Sequence, residues 1–252
     1  MRTAFAALAA VCAMVSGVDA QARDTVFVEV GHPAIDGRFF RNHAARVRIY
    51  RGDTLTAEWV NELVMGDSAG RPVMRWVTTS KPVPAFPNRV LTVLRQTYDA
   101  QTLAPLGYWV EASNGAFTRL AIDGKTAKGT RRTPNDSTPR PVEIQIARLG
   151  FFAGASDLVP VAAGLKTGQV LVAPVWAPNM ASAEDRIFVI QADTVVNVEG
   201  TPTKSRKVEE RRRSDGTLTA NWYLLLESPY MVYGEVPLPD GRVQRMTEVP
   251  VP

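Results

Sequence analysis

Hydrophobic residues recur along most of this chain at every second position, in runs of roughly six to ten residues, and each run stops at a turn signal. Between 55 and 65, Leu55, Ala57, Trp59, Leu63 and Met65 fall on one face. Gly66-Asp67-Ser68-Ala69-Gly70 then turns the chain into a second run at 73–79. Further β-type runs occupy 89–98, 108–112, 117–122, 125–132 and 142–148. After them come 169–176, 186–198, 204–213, 218–226, 230–236 and 243–249. Asn114-Gly115 is the strongest two-residue hairpin signal, and Asp123-Gly124, Asp215-Gly216 and Pro239-Asp240-Gly241 mark further reversals. One segment, 151–161, suggests a helix; Gly154 and Pro160 keep it short, and Ser156 and Asp157 are candidate caps.

A parallel α/β sheet needs a crossover helix between successive strands, and the connections here are too short for that. The pattern predicts an all-β fold: a large curved antiparallel sheet, an open or half barrel of roughly ten to twelve strands, with one short helix. Residues 133–141 carry three prolines. They read as the loop near which two halves of a single β-rich domain, 23–252, meet.

Composition agrees with a folded core. Of the 252 residues 45% are hydrophobic and 21% charged, which excludes a disordered chain, and 18 Gly with 18 Pro argue against a helical bundle. The start of the chain changes the picture. Arg2, an apolar run over 4–15 and small residues after it have the form of a signal peptide, 1–22, cut after Ala20 or Ala22. The one cysteine, Cys12, lies inside it, and Ala9-Ala10-Val11 lacks the leucine and the small residue of a lipid-attachment signal. Removal of the leader leaves no thiol for a disulfide, a metal or nucleophilic catalysis. No later run is long enough to span a bilayer. The expectation is an exported protein of the periplasm, free or peripheral to the outer membrane, without a transmembrane segment.

Candidate chemistry is sparse. Gly66-Asp67-Ser68-Ala69-Gly70 matches the G-x-S-x-G elbow, yet Arg71-Pro72 and β-type residues follow where a helix is required, and both histidines precede Ser68. A reversed triad from His32 or His43 with Asp36 or Asp53 lacks matching flanks, so Ser68 reads as part of a hairpin turn. His32 and His43 are eleven apart in a Pro/Gly-containing segment, which offers no metal-ligand spacing. Glycines form no nucleotide-binding fingerprint, so no cofactor is expected. Lys204, Arg206, Lys207, Arg211, Arg212 and Arg213 make a basic stretch broken by Glu209 and Glu210. Without interleaved aromatics it reads as a solvated outer face, with no nucleic acid as partner and anionic lipid headgroups or glycans as the alternative. Trp59, Trp76, Trp109, Trp176 and Trp222 all fall on or beside strands. They suit either core packing or the lining of an apolar pocket inside a half-open barrel.

The C-terminal third carries Val208-Glu209-Glu210, Asp215-Gly216-Thr217-Leu218, Asn221-Trp222-Tyr223-Leu224, Ser228-Pro229-Tyr230-Met231-Val232 and Pro239-Asp240-Gly241-Arg242. Upstream stand Tyr98-Asp99, Thr102-Leu103 and Pro105. Over roughly residues 88–249 the chain resembles a family of uncharacterised exported bacterial β-rich proteins, similar in expected architecture to periplasmic lipoprotein-localisation carriers. The resemblance implies a curved sheet wrapped around a helical lid that shelters acyl chains, and it carries over no functional residue. The expected function is non-enzymatic binding of a lipid or other apolar or amphipathic ligand. Trp59, Trp76, Trp109 and Trp222 are the expected lining, and Phe152 on the short helix is part of a lid. The alternatives are a structural or assembly factor that pairs with a cell-envelope protein, and a hydrolase that uses Ser68.

Overall fold

The computed structural model describes residues 25–227 and 230–251; the expected signal peptide, Cys12 included, lies outside them. Sixteen strands form one sheet. They are β1 (Thr25–Phe27), β2 (His43–Arg51), β3 (Thr54–Ser68), β4 (Arg71–Lys81), β5 (Thr92–Asp99), β6 (Pro105–Ala112), β7 (Phe117–Asp123) and β8 (Thr126–Arg132). There follow β9 (Arg140–Gln145), β10 (Phe151–Phe152), β11 (Val170–Trp176), β12 (Glu184–Val198), β13 (Thr201–Arg212), β14 (Leu218–Leu224), β15 (Met231–Pro237) and β16 (Val243–Pro250). The path β11-β12-β13-β14-β15-β16-β2-β3-β4-β5-β6-β7-β8-β9 is antiparallel throughout, with β1 beside β11 at one end. The ends do not pair with each other, so the sheet is open.

Two differences from the sequence reading have physical causes. The sheet has sixteen strands rather than ten to twelve: β2 lies outside the runs read as strands, and β1 and β10 are only three and two residues long. They exist through long-range pairing, each parallel to β11, so the sheet is not wholly antiparallel. The helix is also shorter. α1 (Leu158–Ala162) follows a 3₁₀ turn at Ala153–Ala155, and Asp157 at its N-cap makes no side-chain capping bond. The expected cap is instead turned into the core.

Alternation decides which way each strand faces. In β2 the inward residues are Ala45, Val47 and Ile49, and in β3 they are Ala57, Asn61 and Leu63. The 151–165 segment fills the hollow of the sheet, burying Phe151, Phe152, Leu158, Val159, Val161 and Leu165 in one cluster with the strand residues. Two features hold the curl. Gly129 in β8 sits so close to β7 that a Cβ there would lie 1.8 Å from the Arg119 carbonyl oxygen. Beyond β9, the Ala147 N–H donates to the Ala181 oxygen, and Arg148 ion-pairs with both Glu29 and Asp185. Asn114-Gly115 makes the predicted hairpin, with Gly115 at φ 83°. Residues 133–139 join β8 to β9, which pair with each other. The seam between the chain's earlier and later strands is the β16–β2 ladder.

Candidate functional site

The inward face carries an unusual set of polar groups. Glu210 on β13 and Glu248 on β16 both point inward at positions that alternate with core residues, and both are buried. The filling segment presents Ser156 and Asp157 to them. The Ser156 hydroxyl donates to Glu210 Oε2 at 3.0 Å, and Trp222 Nε1 donates to the same oxygen at 2.8 Å. Arg186 Nε lies 3.9 Å from Glu210 Oε1. Glu248 faces His43, whose Nε2 is 3.8 Å from Oε1, while Asn61 donates to Oε2 at 3.5 Å and receives a 2.8 Å bond from Thr78.

Burial, then the negative charges of Glu248 and Glu210, push the Asp157 carboxyl up to about 7. Burial also raises Glu248, with His43 and Asn61 acting in the opposite direction. Tyr98 is raised by burial and then by Asp157, and its hydroxyl donates to Gln96 at 3.1 Å. Among the described residues, no group of three or more His, Cys, Asp or Glu side chains is placed to hold a metal ion. The polar set lies in the core and ties the filling segment to the wall.

A groove opens at one end of the hollow. Ile49, Ala57 and Trp59 form its floor, and the 85–89 loop forms its wall with Phe86 and Pro87, enclosing ≈ 920 Å³. Phe86 is 46% exposed although it is large and apolar. The loop is anchored by Arg89 Nη1, which donates to the Thr56 oxygen at 2.9 Å. Arg51, Arg89 and Arg242 stand around the groove. Only Arg242 is held by a carboxylate, Asp240 at 2.6 Å. The result is an amphipathic trough with two guanidinium groups that, among the described residues, no carboxylate neutralises. A smaller cleft of ≈ 360 Å³ lies elsewhere on the sheet, lined by Leu94, Tyr108, Phe152 and Trp176 among others.

The five residues singled out from sequence are not brought together. Trp59 lines the large groove. Trp76 is buried, its ring 5.8 Å from that of His43. Trp222 packs against Gly234 and bonds Glu210. Phe152 is on β10 rather than on the helix, and packs between the rings of Tyr98, Tyr108 and Trp176. Trp109 occupies the opposite face of the sheet, because its neighbour Tyr108 takes the inward position opposite Gln96 and Leu120. Ser68 ends β3 and is followed by a two-residue turn into another strand, so the geometry is strand–turn–strand. Asp36 caps a 3₁₀ turn and pairs with Arg38, Asp53 is exposed near Arg245, and His32 Nδ1 accepts from the Ala34 N–H. Sequence reading took Asp157 as a candidate helix cap and Glu210 as a break in a basic stretch, and passed over Glu248. The available signal was an acidic residue at an inward-facing position, as in Val208-Glu209-Glu210.

No family model matches the chain, and no curated protein does. Two solved structures are similar to it. One is a beta-barrel-like protein of the domain of unknown function DUF1849 from Brucella abortus, at 12% identity over 82% of this chain and 95% of that one, with a TM-score of 0.48. The other is a DUF1329 family protein from Desulfovibrio piger, at 12% identity over 82% of each chain, with a TM-score of 0.28. Among the described residues no helix is long and apolar enough to cross a membrane.

Proposed function

We propose that the protein is a non-catalytic periplasmic binder of an amphiphile with one apolar chain and an anionic head group. The observation that carries this reading is the groove over Trp59. Its ≈ 920 Å³ falls within the roughly 300–1,000 Å³ of small-molecule sites, and Ile49, Ala57, Trp59, Phe86 and Pro87 give it an apolar strip among polar residues. A chain laid along Ile49, Ala57, Trp59 and Phe86 loses its hydration, and Arg51 and Arg89 supply charge-assisted bonds to a carboxylate or phosphate at its end. The buried core polar groups keep the filling segment seated, so the ligand has the groove and not the whole hollow.

The test is binding of dansyl-labelled undecanoate to the purified protein, with displacement by oleate. Enhanced, blue-shifted emission that oleate reverses is the expected result. Trp59→Ala should weaken it about tenfold or more, as loss of an aromatic contact surface requires. Arg51→Gln with Arg89→Gln should weaken the undecanoate but not an uncharged dodecanol competitor. Absence of any displaceable signal overturns the reading.

A further inference from the structure

The outward face of β4–β8 carries arginines that the protein leaves without carboxylate partners. Val77, Arg95, Trp109, Arg119 and Thr130 stand side by side on five neighbouring strands in register. The Arg95 and Arg119 guanidiniums stack over the Trp109 indole, 4.2 and 4.3 Å from its centroid. Among the described residues neither arginine has an ion-pair partner. Arg95 Nη1 and Trp109 Nε1 are buried donors without an acceptor. In the adjoining rows Arg75 has no ion pair, and Arg132 lies over the Phe117 ring and bonds the Gly115 oxygen. Glu62 and Glu111 share this face, but neither is within ion-pair distance of these arginines.

The contrast with the basic stretch on β13 is informative. There Lys204 and Arg206 pair with Asp193, Lys207 and Arg211 with Glu209, Arg212 with Asp215 and Arg213 with Asp185. In the segment that looks most basic in sequence each of these side chains therefore has a carboxylate beside it, six cations sharing four acids. The face that keeps its positive charge draws its arginines from separate strands.

We propose that this outward face docks on an anionic phospholipid surface, with Arg95, Trp109 and Arg119 at the contact. Stacking fixes each guanidinium in plane; Arg119 is exposed and Arg95 half-buried, and arginine beside tryptophan suits the headgroup level of a bilayer. Arg95 and Arg119 converge on one indole, and Arg75 and Arg132 stand in the adjoining rows of the same face. The chemistry is that of phosphate anions, and because the arginines are spread over β4, β5, β7 and β8 and not gathered at one point, the face suits an array of headgroups over a free ion. This inference stands apart from the groove, because Arg51 and Trp59 contribute nothing to it.

The experiment is flotation of the purified protein with vesicles of phosphatidylglycerol and phosphatidylcholine, and with vesicles of phosphatidylcholine alone, at low and high salt. Binding to the anionic vesicles only, lost at high salt, is expected. Arg95→Gln with Arg119→Gln should weaken it about thirtyfold, at about 1 kcal/mol for each charge at the surface. Lys204→Gln with Arg212→Gln, which removes the same charge from paired positions, should leave binding within a factor of about two. Should the double arginine variant unfold, Arg75→Gln with Arg132→Gln should weaken binding in the same direction, and wild-type binding by that variant would overturn the proposal. Failure of the wild type to float, equal losses in the two sets of variants, or capture of RNA in place of vesicles would each overturn the proposal.

Discussion

Glu210 and Ser156 stand 54 positions apart in sequence and share one buried hydrogen bond, which joins the wall of the sheet to the segment that fills it. Because Trp222 bonds the same oxygen, Glu210 is the acceptor for two donors, of which the buried Ser156 hydroxyl has no water to turn to. Glu210→Ala should therefore lower stability by about 2–4 kcal/mol, read as a fall in the denaturant midpoint. Glu210→Gln keeps an acceptor and should lose less than half as much. Equal losses in the two variants would show that the bonds contribute little.

Asp157 gives stability a pH dependence of definite sign. Its carboxyl titrates at about 7 in the native protein against 3.8 ordinarily, so between those values the native state holds more protons than the unfolded chain. Stability from this group is thus fully present below about pH 4 and is lost as pH rises through about 7, a span worth up to about 4 kcal/mol. Glu248 is raised as well and acts with the same sign. Asp99 and Asp185, held low by hydrogen bonds against the cost of burial, act with the opposite sign and only at acid pH. Asp157→Asn should raise the melting temperature near pH 8 and flatten its slope from about pH 5 upward. A curve parallel to that of the wild type would refute the assignment.

Backbone proximity makes Gly129 intolerant of any side chain. Its position 1.8 Å from the Arg119 oxygen, once a Cβ is added, demands that β7 and β8 separate. Gly129→Ala should cost about 2–3 kcal/mol and speed amide exchange along both strands. Gly124→Ala meets nothing within 4 Å and is strained only by its φ of 53°, so it should cost about 1 kcal/mol. The reverse order would place the tight approach elsewhere.

Arg148 bridges the two ends of an open sheet through Glu29 and Asp185. Its side chain is 40% exposed, so solvent weakens both pairs. Arg148→Ala should lower global stability by only about 1 kcal/mol. Exchange should nonetheless quicken selectively at β1, β10 and the start of β12. Uniform acceleration across the sheet would mean that the bridge has no local role.

Much of this architecture is readable from alternation and turns, because an inward-facing strand residue is apolar and a reversal needs Gly, Asn or Asp. Leu218, Ala220, Trp222 and Leu224, with the reversals at Asn114-Gly115 and Asp240-Gly241, are of this kind. The site is less readable. Tyr108 and Trp109 are adjacent aromatics, and only the register with Gln96 and Leu120 decides which faces inward. The Arg95–Trp109–Arg119 stack is invisible along the chain, since its members come from three strands. β1 and β10 have no local signal at all; β11 creates them by offering its free edge.

The ladder between β2 and β16 has a kinetic consequence. Ile49 pairs with Met246 and Ala45 with Pro250, so the middle of the sheet is closed by residues from opposite ends of the chain. Contacts so remote in sequence are costly in loop entropy and form slowly. A nascent polypeptide that still lacks residues 243–250 holds two half-built sheets with bare edges face to face, and one sheet is reached only when β16 zips them together.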